Sequence, residues 1–317
     1  MRVLIVKVSS LGDIIHTLPA VTDAQRAHAN LVFDWVVEEG FVEVPSWHPA
    51  VNKVIPVAIR RWRRNLMQTY LNHEFRSFKR ALQGVHYDLV IDAQGLIKSG
   101  LISRLSRGLT IGLSNRTIRE PLAALFYNKA YSVPWTEHAV DRVRELFSRA
   151  LNYDYQGSSL DYGLDLESIN TKIGEAEKQE IIFLHGTTRE SKYWPEKKWR
   201  ELAAKVTDRG YDVILPWGDE REKERAEFIA KDNSSVKILA RQSLSDLAKI
   251  INRSKGVIAV DTGLGHLAAA LSKPTVSLYG PTNPKLCGTY GANQVHLGLE
   301  NDSNFVWDQF ENLINSS

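Results

Sequence analysis

The segment Val3–Ala20, with the sequence VLIVKVSSLGDIIHTLPA, decides the fold class. Its apolar run Val3–Val6 predicts a buried strand, and the apolar segment that begins at Ile14 predicts a helix. Strand, tight turn of small residues and helix are how a nucleotide-binding parallel sheet opens, with a phosphate at the helix N-terminus. The turn lacks the glycine fingerprint of such sites, however, and it carries the anion Asp13 where a phosphate would sit.

The composition of the 317-residue chain is that of an ordinary globular protein, large enough for two domains. Its net charge of only +3 gives no global excess that would favour a nucleic-acid partner. One cysteine, Cys287, excludes an internal disulfide and is typical of a reducing cytosol. Apolar runs stay below the roughly 18 residues of a membrane span, and the N-terminus lacks a signal-peptide pattern. We therefore expect a cytoplasmic protein.

Strand and helix patterns alternate along the chain in two series, separated by the polar segment 156–180. The strands predicted in the first series are Val3–Val6, Val32–Val37, Lys53–Val57, Leu89–Asp92 and Thr110–Gly112. Those in the second are Ile181–Leu184, Val213–Pro216, Val236–Leu239, Val257–Val260 and Thr275–Tyr279. Such alternation predicts two doubly wound α/β domains with parallel sheets, over residues 1–160 and 177–304. Ligands of these sheets bind at the carboxyl ends of strands, so we expect a cleft between the domains.

Polar segments follow four predicted strands of the second domain: HGTTRESKYWP (185–195), WGDEREKER (217–225), DTGLGH (261–266) and GPTNP (280–284). In the third of these, Asp261, Thr262 and Gly263 precede a helix whose N-terminal N–H groups attract phosphate. His266 is either a donor that faces the ligand or a packed helix residue. Ordinary polar loops are the alternative for the whole set.

Two further segments of the second domain suit a nucleotide. The hydroxyls of Thr187 and Thr188 and the ammonium of Lys192 are donors for phosphate oxygens, although a solvated lysine is equally consistent with the sequence. Three acids begin the next helix, where the helix dipole favours them in any case. One of them could accept hydrogen bonds from a ribose diol.

The first domain carries basic residues at its predicted strand ends. Four arginines surround Trp62 in the segment AIRRWRRN, and further polar and basic positions follow at Asp92, Gln94, Lys98, Arg116, Arg119, His138, Arg142 and Arg144. Arginine forks pair with phosphate or carboxylate, and an arginine cluster with a tryptophan also suits an anionic membrane surface. A solvated charged face is the usual alternative for a charge run, but four arginines in five residues around a tryptophan make it the less favoured interpretation here.

Several of these stretches together resemble the heptosyltransferases of bacterial lipopolysaccharide core synthesis, over nearly the whole chain. Any one stretch alone would be weak, but the set is specific. The matching segments are MRVLIVKVSSLGDIIHTLPA, FDWVVEEGF, VIPVAIRRWRR, DAQGLIKS, REPLAALFYN, FLHGTTRESKYWPEKKWREL, LPWGDEREKERA and AVDTGLGHLAAAL.

The resemblance implies a GT-B glycosyltransferase with two facing Rossmann-like domains, the second of which binds the nucleotide sugar. The implied donor is ADP-L-glycero-β-D-manno-heptose, which leaves as ADP, and the implied acceptor is the Kdo of Kdo2-lipid A in inner-core synthesis. Transfer inverts the anomeric centre and requires no metal or other cofactor. The enzyme is expected to be a monomer, peripheral on the cytoplasmic face of the inner membrane of a Gram-negative bacterium.

The resemblance also implies residue roles. Asp13 matches the general base, and Lys192 matches the residue that stabilises the leaving diphosphate. The donor-binding positions are Thr187, Thr188, Lys192, Glu222, Asp261, Thr262, Gly263 and His266. The acceptor-binding positions are Ser10, Arg60, Arg61, Arg63, Arg64, Lys98, Arg119, His138 and Arg142. Residues 305–317 are expected to form a helix that packs back on the N-terminal domain.

Three other functions fit the same sequence. A second heptosyltransferase differs mainly in its acceptor, and other GT-B enzymes, including sugar-nucleotide epimerases, share the fold. A non-catalytic module that binds a nucleotide and docks on anionic membranes is the alternative from a different class. Asp13 separates the enzymes from the binding module, because a pure binding protein gains nothing from an acid at this position, whereas an enzyme loses most of its turnover without it.

Overall fold

The computed structural model describes residues 1–64, 73–155, 159–165 and 179–316. The chain divides into two compact units, Met1–Asp165 and Leu166–Ser317. Most of the predicted linker, 156–180, lies outside the described residues. Its described part, 159–165, packs on the first unit, where Asp165 N–H donates to the Trp47 carbonyl at 3.0 Å and Asp161 pairs with Arg26.

The first unit is built on a six-stranded parallel sheet in the order β3-β2-β1-β4-β5-β6. Its strands are β1 (Arg2–Val6), β2 (Val32–Glu38), β3 (Val51–Val57), β4 (His86–Asp92), β5 (Arg107–Leu113) and β6 (Lys129–Tyr131). Its α-helices are α1 (Leu11–Ile15), α2 (Leu18–Ala27), α3 (Glu43–Ser46), α4 (Ile59–Trp62), α5 (Glu74–Gln83), α6 (Ile97–Leu105) and α7 (Ala139–Leu151), and short 3₁₀ helices cover Glu39–Phe41 and Pro121–Phe126.

The second unit repeats this plan with a six-stranded parallel sheet in the order β12-β11-β10-β7-β8-β9. Its strands are β7 (Glu180–Leu184), β8 (Asp212–Leu215), β9 (Val236–Ile238), β10 (Gly256–Val260), β11 (Thr275–Tyr279) and β12 (Gln294–Gly298). Its α-helices are α8 (Glu196–Asp208), α9 (Glu220–Ala230), α10 (Leu244–Arg253), α11 (Gly263–Ala270), α12 (Pro284–Cys287) and α13 (Ser303–Asn315), and a 3₁₀ helix covers Glu190–Lys192.

The central strands of both sheets are buried on both faces, which is why they read as continuous apolar runs. Val3–Val6 in β1 and Gly256–Val260 in β10 are fully buried. In both units the strand order reverses between the first strand and the fourth, at β1–β4 and at β7–β10. Open α/β sheets bind ligands at this switch point, where loops diverge from the carboxyl ends of neighbouring strands. The topology therefore marks one candidate site in each unit.

The final helix, α13, buries much of its apolar face in its own unit, and packing of residues 305–317 back on the N-terminal domain stays a prediction. Val306, Trp307, Phe310 and Ile314 on α13 are buried in the core of the second unit, against Trp199 of α8 and the sheet. This packing is local, because α13 follows β12 at the edge of the second sheet and covers the apolar surface nearest to it. Ser317 lies outside the described residues.

No described helix is both long enough and apolar enough to cross a membrane.

The first unit contains a histidine that folding holds neutral. Burial lowers the pKa of His48 to about 4, and the carboxylate of Asp161 only partly opposes this shift. Ala50 N–H donates to Nδ1 of His48 at 3.1 Å, and Nε2 lies 3.0 Å from the hydroxyl of Thr22. Protonation of Nδ1 would break the first of these bonds, since a protonated nitrogen cannot accept.

The stability of the protein should therefore fall on mild acidification. An unfolded histidine has a pKa of about 6.5, so the unfolded state takes up this proton first as the pH drops. The contribution of neutral His48 to the free energy of unfolding is complete above pH 6.5 and is lost as the pH falls toward 4. We expect this group alone to lower the free energy of unfolding by about 2 kcal/mol between pH 7 and pH 5. Urea unfolding of the wild type and of His48→Gln at both pH values measures it. An identical pH dependence in the two proteins would contradict the assignment.

Candidate active site

Asp13 lies at the switch point of the first unit, in the third position of α1. Its Oδ2 accepts hydrogen bonds from the backbone N–H of Ser10 at 2.7 Å and from the Ser10 hydroxyl at 3.0 Å. The backbone bond caps the helix, and the two bonds together fix the rotamer of the carboxylate. Its other oxygen, Oδ1, lies 4.0 Å from the ammonium of Lys7, and the side chain is 38% exposed. Asp13 is therefore a fixed carboxylate with one oxygen left to meet a ligand.

The loop that carries Asp13 is tied to the neighbouring loop by Gln94. Its side-chain oxygen accepts from the backbone N–H groups of Val8 and Ser9, both at 3.0 Å. Asp92, buried at the end of β4, in turn accepts from the N–H of Gln94 at 2.8 Å and from the hydroxyl of Tyr127 at 2.7 Å. Burial raises the pKa of Asp92, and these hydrogen bonds oppose the shift. Asp92 and Gln94 thus position the site.

Lys7 is a site residue that sequence reasoning missed. It is 6% exposed and donates to the carbonyl of Ala93 at 2.7 Å. Burial lowers its pKa, while the carboxylates of Asp13 and Asp92 oppose that shift. In the sequence Lys7 simply interrupts an apolar run, and only its place at the end of β1 reveals that it faces Asp13.

The nine predicted acceptor residues all lie in segments that follow strands of the first unit, so they share its carboxyl edge. Arg119 and Arg142 lie near enough to Lys7 to lower its pKa further. Arg142 donates to the carbonyl of Thr117 at 3.1 Å, stacks 3.5 Å above the ring of Trp135 and is half-buried, which lowers its pKa to about 10.

His138 caps α7 by accepting from the N–H of Val140 at 3.2 Å. Its ring packs edge-on against that of His16, with 5.4 Å between the ring centroids. Lys98 is partly buried in the first turn of α6.

The four clustered arginines do not behave alike. Arg61 forms two hydrogen bonds to Glu39 and two to Glu74, and these bonds raise its pKa. The indole of Trp62 also donates to Glu74, at 2.8 Å, and its ring packs against the neighbouring phenylalanines of α5. Arg61 and Trp62 therefore anchor α4 to α5. The side chains of Arg60, Arg63 and Arg64 are exposed.

The second unit brings its predicted donor residues together at its own switch point. Lys192 Nζ lies 2.6 Å from Asp261 Oδ2, and the hydroxyl of Thr187 donates to the Asp261 carbonyl at 3.0 Å. A Cβ at Gly280 would lie 2.6 Å from the carbonyl of Ser191, so glycine at that position lets the Lys192 segment approach β11. The loops after β7 and β10 are thereby joined, and Asp261 holds the ammonium in place.

The N-terminus of α11 completes this arrangement. Its N-cap, Thr262, makes no side-chain hydrogen bond to the helix, which leaves the hydroxyl for a ligand. The first helical residue is Gly263, whose missing side chain keeps the N-terminal N–H groups accessible. His266 is 7% exposed and packs within the first two turns, while Thr188 is exposed.

A pocket of about 240 Å³ adjoins this helix N-terminus. Glu222 and Thr262 lie on its polar side, and Trp217, Leu244 and Leu247 form much of its apolar wall. Glu222 accepts from the N–H of Gly218 at 2.7 Å, and burial raises its pKa. The two leucines were missed because they read as ordinary core positions of an amphipathic helix. An apolar slot beside a carboxylate suits a flat base and a sugar diol.

Comparison with known proteins shows the family of the chain. The profile of glycosyltransferase family 9 (heptosyltransferase) matches residues 75–309. Lipopolysaccharide heptosyltransferase 1 of Pseudomonas aeruginosa is 55% identical over 301 residues, which are 95% of this chain and 84% of that protein. The Escherichia coli K12 protein of the same name is 49% identical over 299 residues, 93% of this chain and 92% of that protein.

Among solved structures, E. coli heptosyltransferase WaaC with ADP matches with a TM-score of 0.94 at 46% identity, covering 99% of this chain and 100% of that chain. The predicted GT-B architecture is thereby confirmed. The family profile spans most of the chain, and close relatives cover almost all of it. The chain therefore belongs to glycosyltransferase family 9, the heptosyltransferases.

Proposed function

We propose that this glycosyltransferase moves L-glycero-D-manno-heptose from ADP-heptose onto the Kdo of Kdo2-lipid A, with inversion. The observation that carries the proposal is the donor half of the site. A base-sized pocket, the carboxylate of Glu222, the N-terminus of α11 and the ammonium of Lys192 lie at one switch point. Base, ribose and diphosphate would occupy these features in turn, and a close relative is solved with ADP.

Replacement of Gly186 tests the ribose contact. A Cβ at this position would lie 2.2 Å from Oε1 of Glu222, so Gly186→Ala has to displace the carboxylate. We expect about tenfold weaker ADP binding by calorimetry, the scale of one lost charge-assisted hydrogen bond. Gly291→Ala is the control, because its Cβ would meet nothing nearer than 3.7 Å. An unchanged ADP affinity in Gly186→Ala would contradict the role of Glu222.

The acceptor half of the site is basic. Three of the four exposed arginines of this cluster, Arg60, Arg63 and Arg64, are suited to the carboxylates and phosphates of Kdo2-lipid A. Changing all three to glutamine should raise the acceptor KM about tenfold or more, with donor KM unchanged. Arg61→Gln serves as the contrast, since its bonds to Glu39 and Glu74 predict lost stability instead. Weaker donor binding in the triple variant would place the cluster elsewhere.

The proposed reaction is one in-line displacement at the anomeric carbon. The acceptor oxygen forms the new glycosidic bond as the bond from the anomeric carbon to the β-phosphate oxygen breaks. Asp13 takes the acceptor proton, and ADP leaves with the electron pair. Lys192, Thr262 and the N–H groups of α11 stabilise the negative charge that develops on the diphosphate.

Incubation with ADP-heptose and Kdo2-lipid A, scored by ADP release and product mass, tests the function. We expect one heptose added to Kdo2-lipid A and slow or no transfer onto an acceptor that already carries this heptose. Preference for the heptosylated acceptor would assign the second heptosyltransferase reaction instead. ADP binding without any transfer would favour the non-catalytic module. We further propose that the enzyme acts as a monomer on the cytoplasmic face of the inner membrane.

A further inference from the structure

Two leucines of the first unit project into solvent beside the acceptor edge. Leu125 is 79% exposed and Leu122 is 61% exposed, the highest values for large apolar side chains among the described residues. Both belong to the 3₁₀ helix Pro121–Phe126. Residues three apart in a 3₁₀ helix lie one above the other, so the two leucines form one exposed apolar strip.

The neighbouring helix α6 extends this strip. Ile97 and Leu101, four residues apart on one helix face, are 37% and 47% exposed. The 3₁₀ helix packs directly on α6, because a Cβ at Gly100 would lie 2.7 Å from the ring of Phe126. We call Ile97, Leu101, Leu122 and Leu125 together the apolar ridge.

The surroundings of the apolar ridge are basic. Residues 97–129 contain six basic side chains and a single acidic one, although the whole chain carries a net charge of only +3. The acidic residue is Glu120, whose carboxylate accepts from the N–H of Ile97 at 2.7 Å. The exposed basic side chains are Arg104, Arg107, Arg116, Arg119 and Lys129. Arg104 shares the helix face of Ile97 and Leu101.

We propose that the apolar ridge docks the enzyme on an anionic lipid bilayer, with the leucines in the interface and the arginines on lipid phosphates. Exposed leucines flanked mainly by basic side chains are typical of surfaces that bind the interfacial region of an anionic membrane. A protein partner is less suited, since protein interfaces are depleted of lysine and of charge at their core, whereas basic residues outnumber acidic ones six to one in the segment that carries the apolar ridge. The arginine cluster is the poorer membrane anchor, because Trp62 is turned inward onto Glu74.

The apolar ridge lies beside the acceptor edge, so docking through it would bring that edge to the bilayer surface. This part of the inference rests on the proposed function. Ile97 begins α6 immediately after the loop in which Gln94 holds the backbone of Val8 and Ser9, next to Asp13. A bilayer that covers the ridge therefore lies beside the acceptor edge. A sugar attached to a membrane-embedded lipid would reach that edge without leaving the bilayer.

Vesicle flotation tests the docking without donor or acceptor. Wild type should bind vesicles of phosphatidylethanolamine with phosphatidylglycerol, bind phosphatidylcholine vesicles far less, and release as salt rises. Leu122→Ser/Leu125→Ser should bind about tenfold or more weakly. Phe305→Ser, an equally conservative loss of an exposed apolar side chain in the second unit, should bind as wild type does. Thermal unfolding checks that the exposed substitutions leave the fold intact.

Wild-type binding by the double leucine variant, or no binding of wild type to anionic vesicles, would overturn the proposal. So would a wild-type dimer in sedimentation that the double variant converts to monomer, because a second copy would then cover the ridge.

Two acceptors separate this proposal from the proposed function. The double variant should match wild type on a soluble Kdo acceptor without acyl chains and lose about tenfold on vesicle-embedded Kdo2-lipid A. Equal activity of the two proteins on the embedded acceptor contradicts docking through the ridge. If wild type transfers to neither acceptor, the proposed function fails, while vesicle binding still decides the docking.

Discussion

Asp13→Asn is expected to reduce heptosyl transfer by about 10³-fold or more, with the fold and ADP binding retained. The amide has the shape of the carboxylate, and its oxygen can still accept the Ser10 N–H that caps α1. It cannot accept a proton from the acceptor hydroxyl. Asparagine is therefore a sharper test than alanine, which would remove the cap together with the base.

The control for this variant is Ser10→Ala. It removes the hydroxyl bond to Asp13 at 3.0 Å but leaves the backbone bond, so we expect a much smaller loss of turnover. Steady-state kinetics with saturating acceptor and calorimetry with ADP provide the two readouts. Turnover of Asp13→Asn near the wild-type level would exclude Asp13 as the base.

The second large effect is expected for Lys192→Ala, with turnover lowered about 10²- to 10³-fold. The negative charge on the diphosphate grows as the bond to the sugar breaks, so the ammonium stabilises the transition state more than the bound donor. Affinity for ADP should therefore fall more than affinity for intact ADP-heptose. Single-turnover rates and calorimetry with both ligands measure the difference.

Two further variants sharpen this test. Lys197→Ala removes an exposed lysine five residues away and should leave both turnover and binding unchanged. Asp261→Asn keeps the lysine but removes the charge that holds it at 2.6 Å, and it should lose part of the same turnover. If Lys192→Ala weakens binding of the intact donor as much as it lowers turnover, the lysine is a binding residue only.

Much of the fold could be predicted because the central strands are buried on both faces. Ten strands were located from apolar runs, whereas β6 and β12 were missed. Lys129–Tyr131 is a short, largely exposed edge strand, and Gln294–Gly298 is only partly buried. Edge strands need no apolar residues on both faces, so their sequences carry little signal.

Candidate site residues could be predicted from the sequence where one loop carries them. The segments around Asp13, Lys192 and Asp261 each have strand, loop and helix in sequence order, and the structure brings Lys192 and Asp261 within 2.6 Å. Lys7, Trp217 and the pocket leucines were not singled out, because each is recognisable only by what another element places opposite it. Arg61 is the opposite case: the sequence predicts that its side chain contacts the acceptor, but the structure pairs it with the carboxylates of Glu39 and Glu74, which are distant in sequence.

The sequence alone determined two doubly wound domains, the loops that carry the chemistry, and an amphipathic helix at the C-terminus. Hydrophobic periodicity and continuous apolar runs are patterns of a few consecutive residues, so each of these features can be recognised from one short segment. Only the tertiary structure decided that β1–β4 and β7–β10 are switch points, that α13 covers the second sheet, and that α6 and Pro121–Phe126 join their exposed faces. The strand order and the two helix positions depend on which apolar surfaces are still uncovered after segments distant in sequence have paired. Only the packing of the whole unit determines those surfaces.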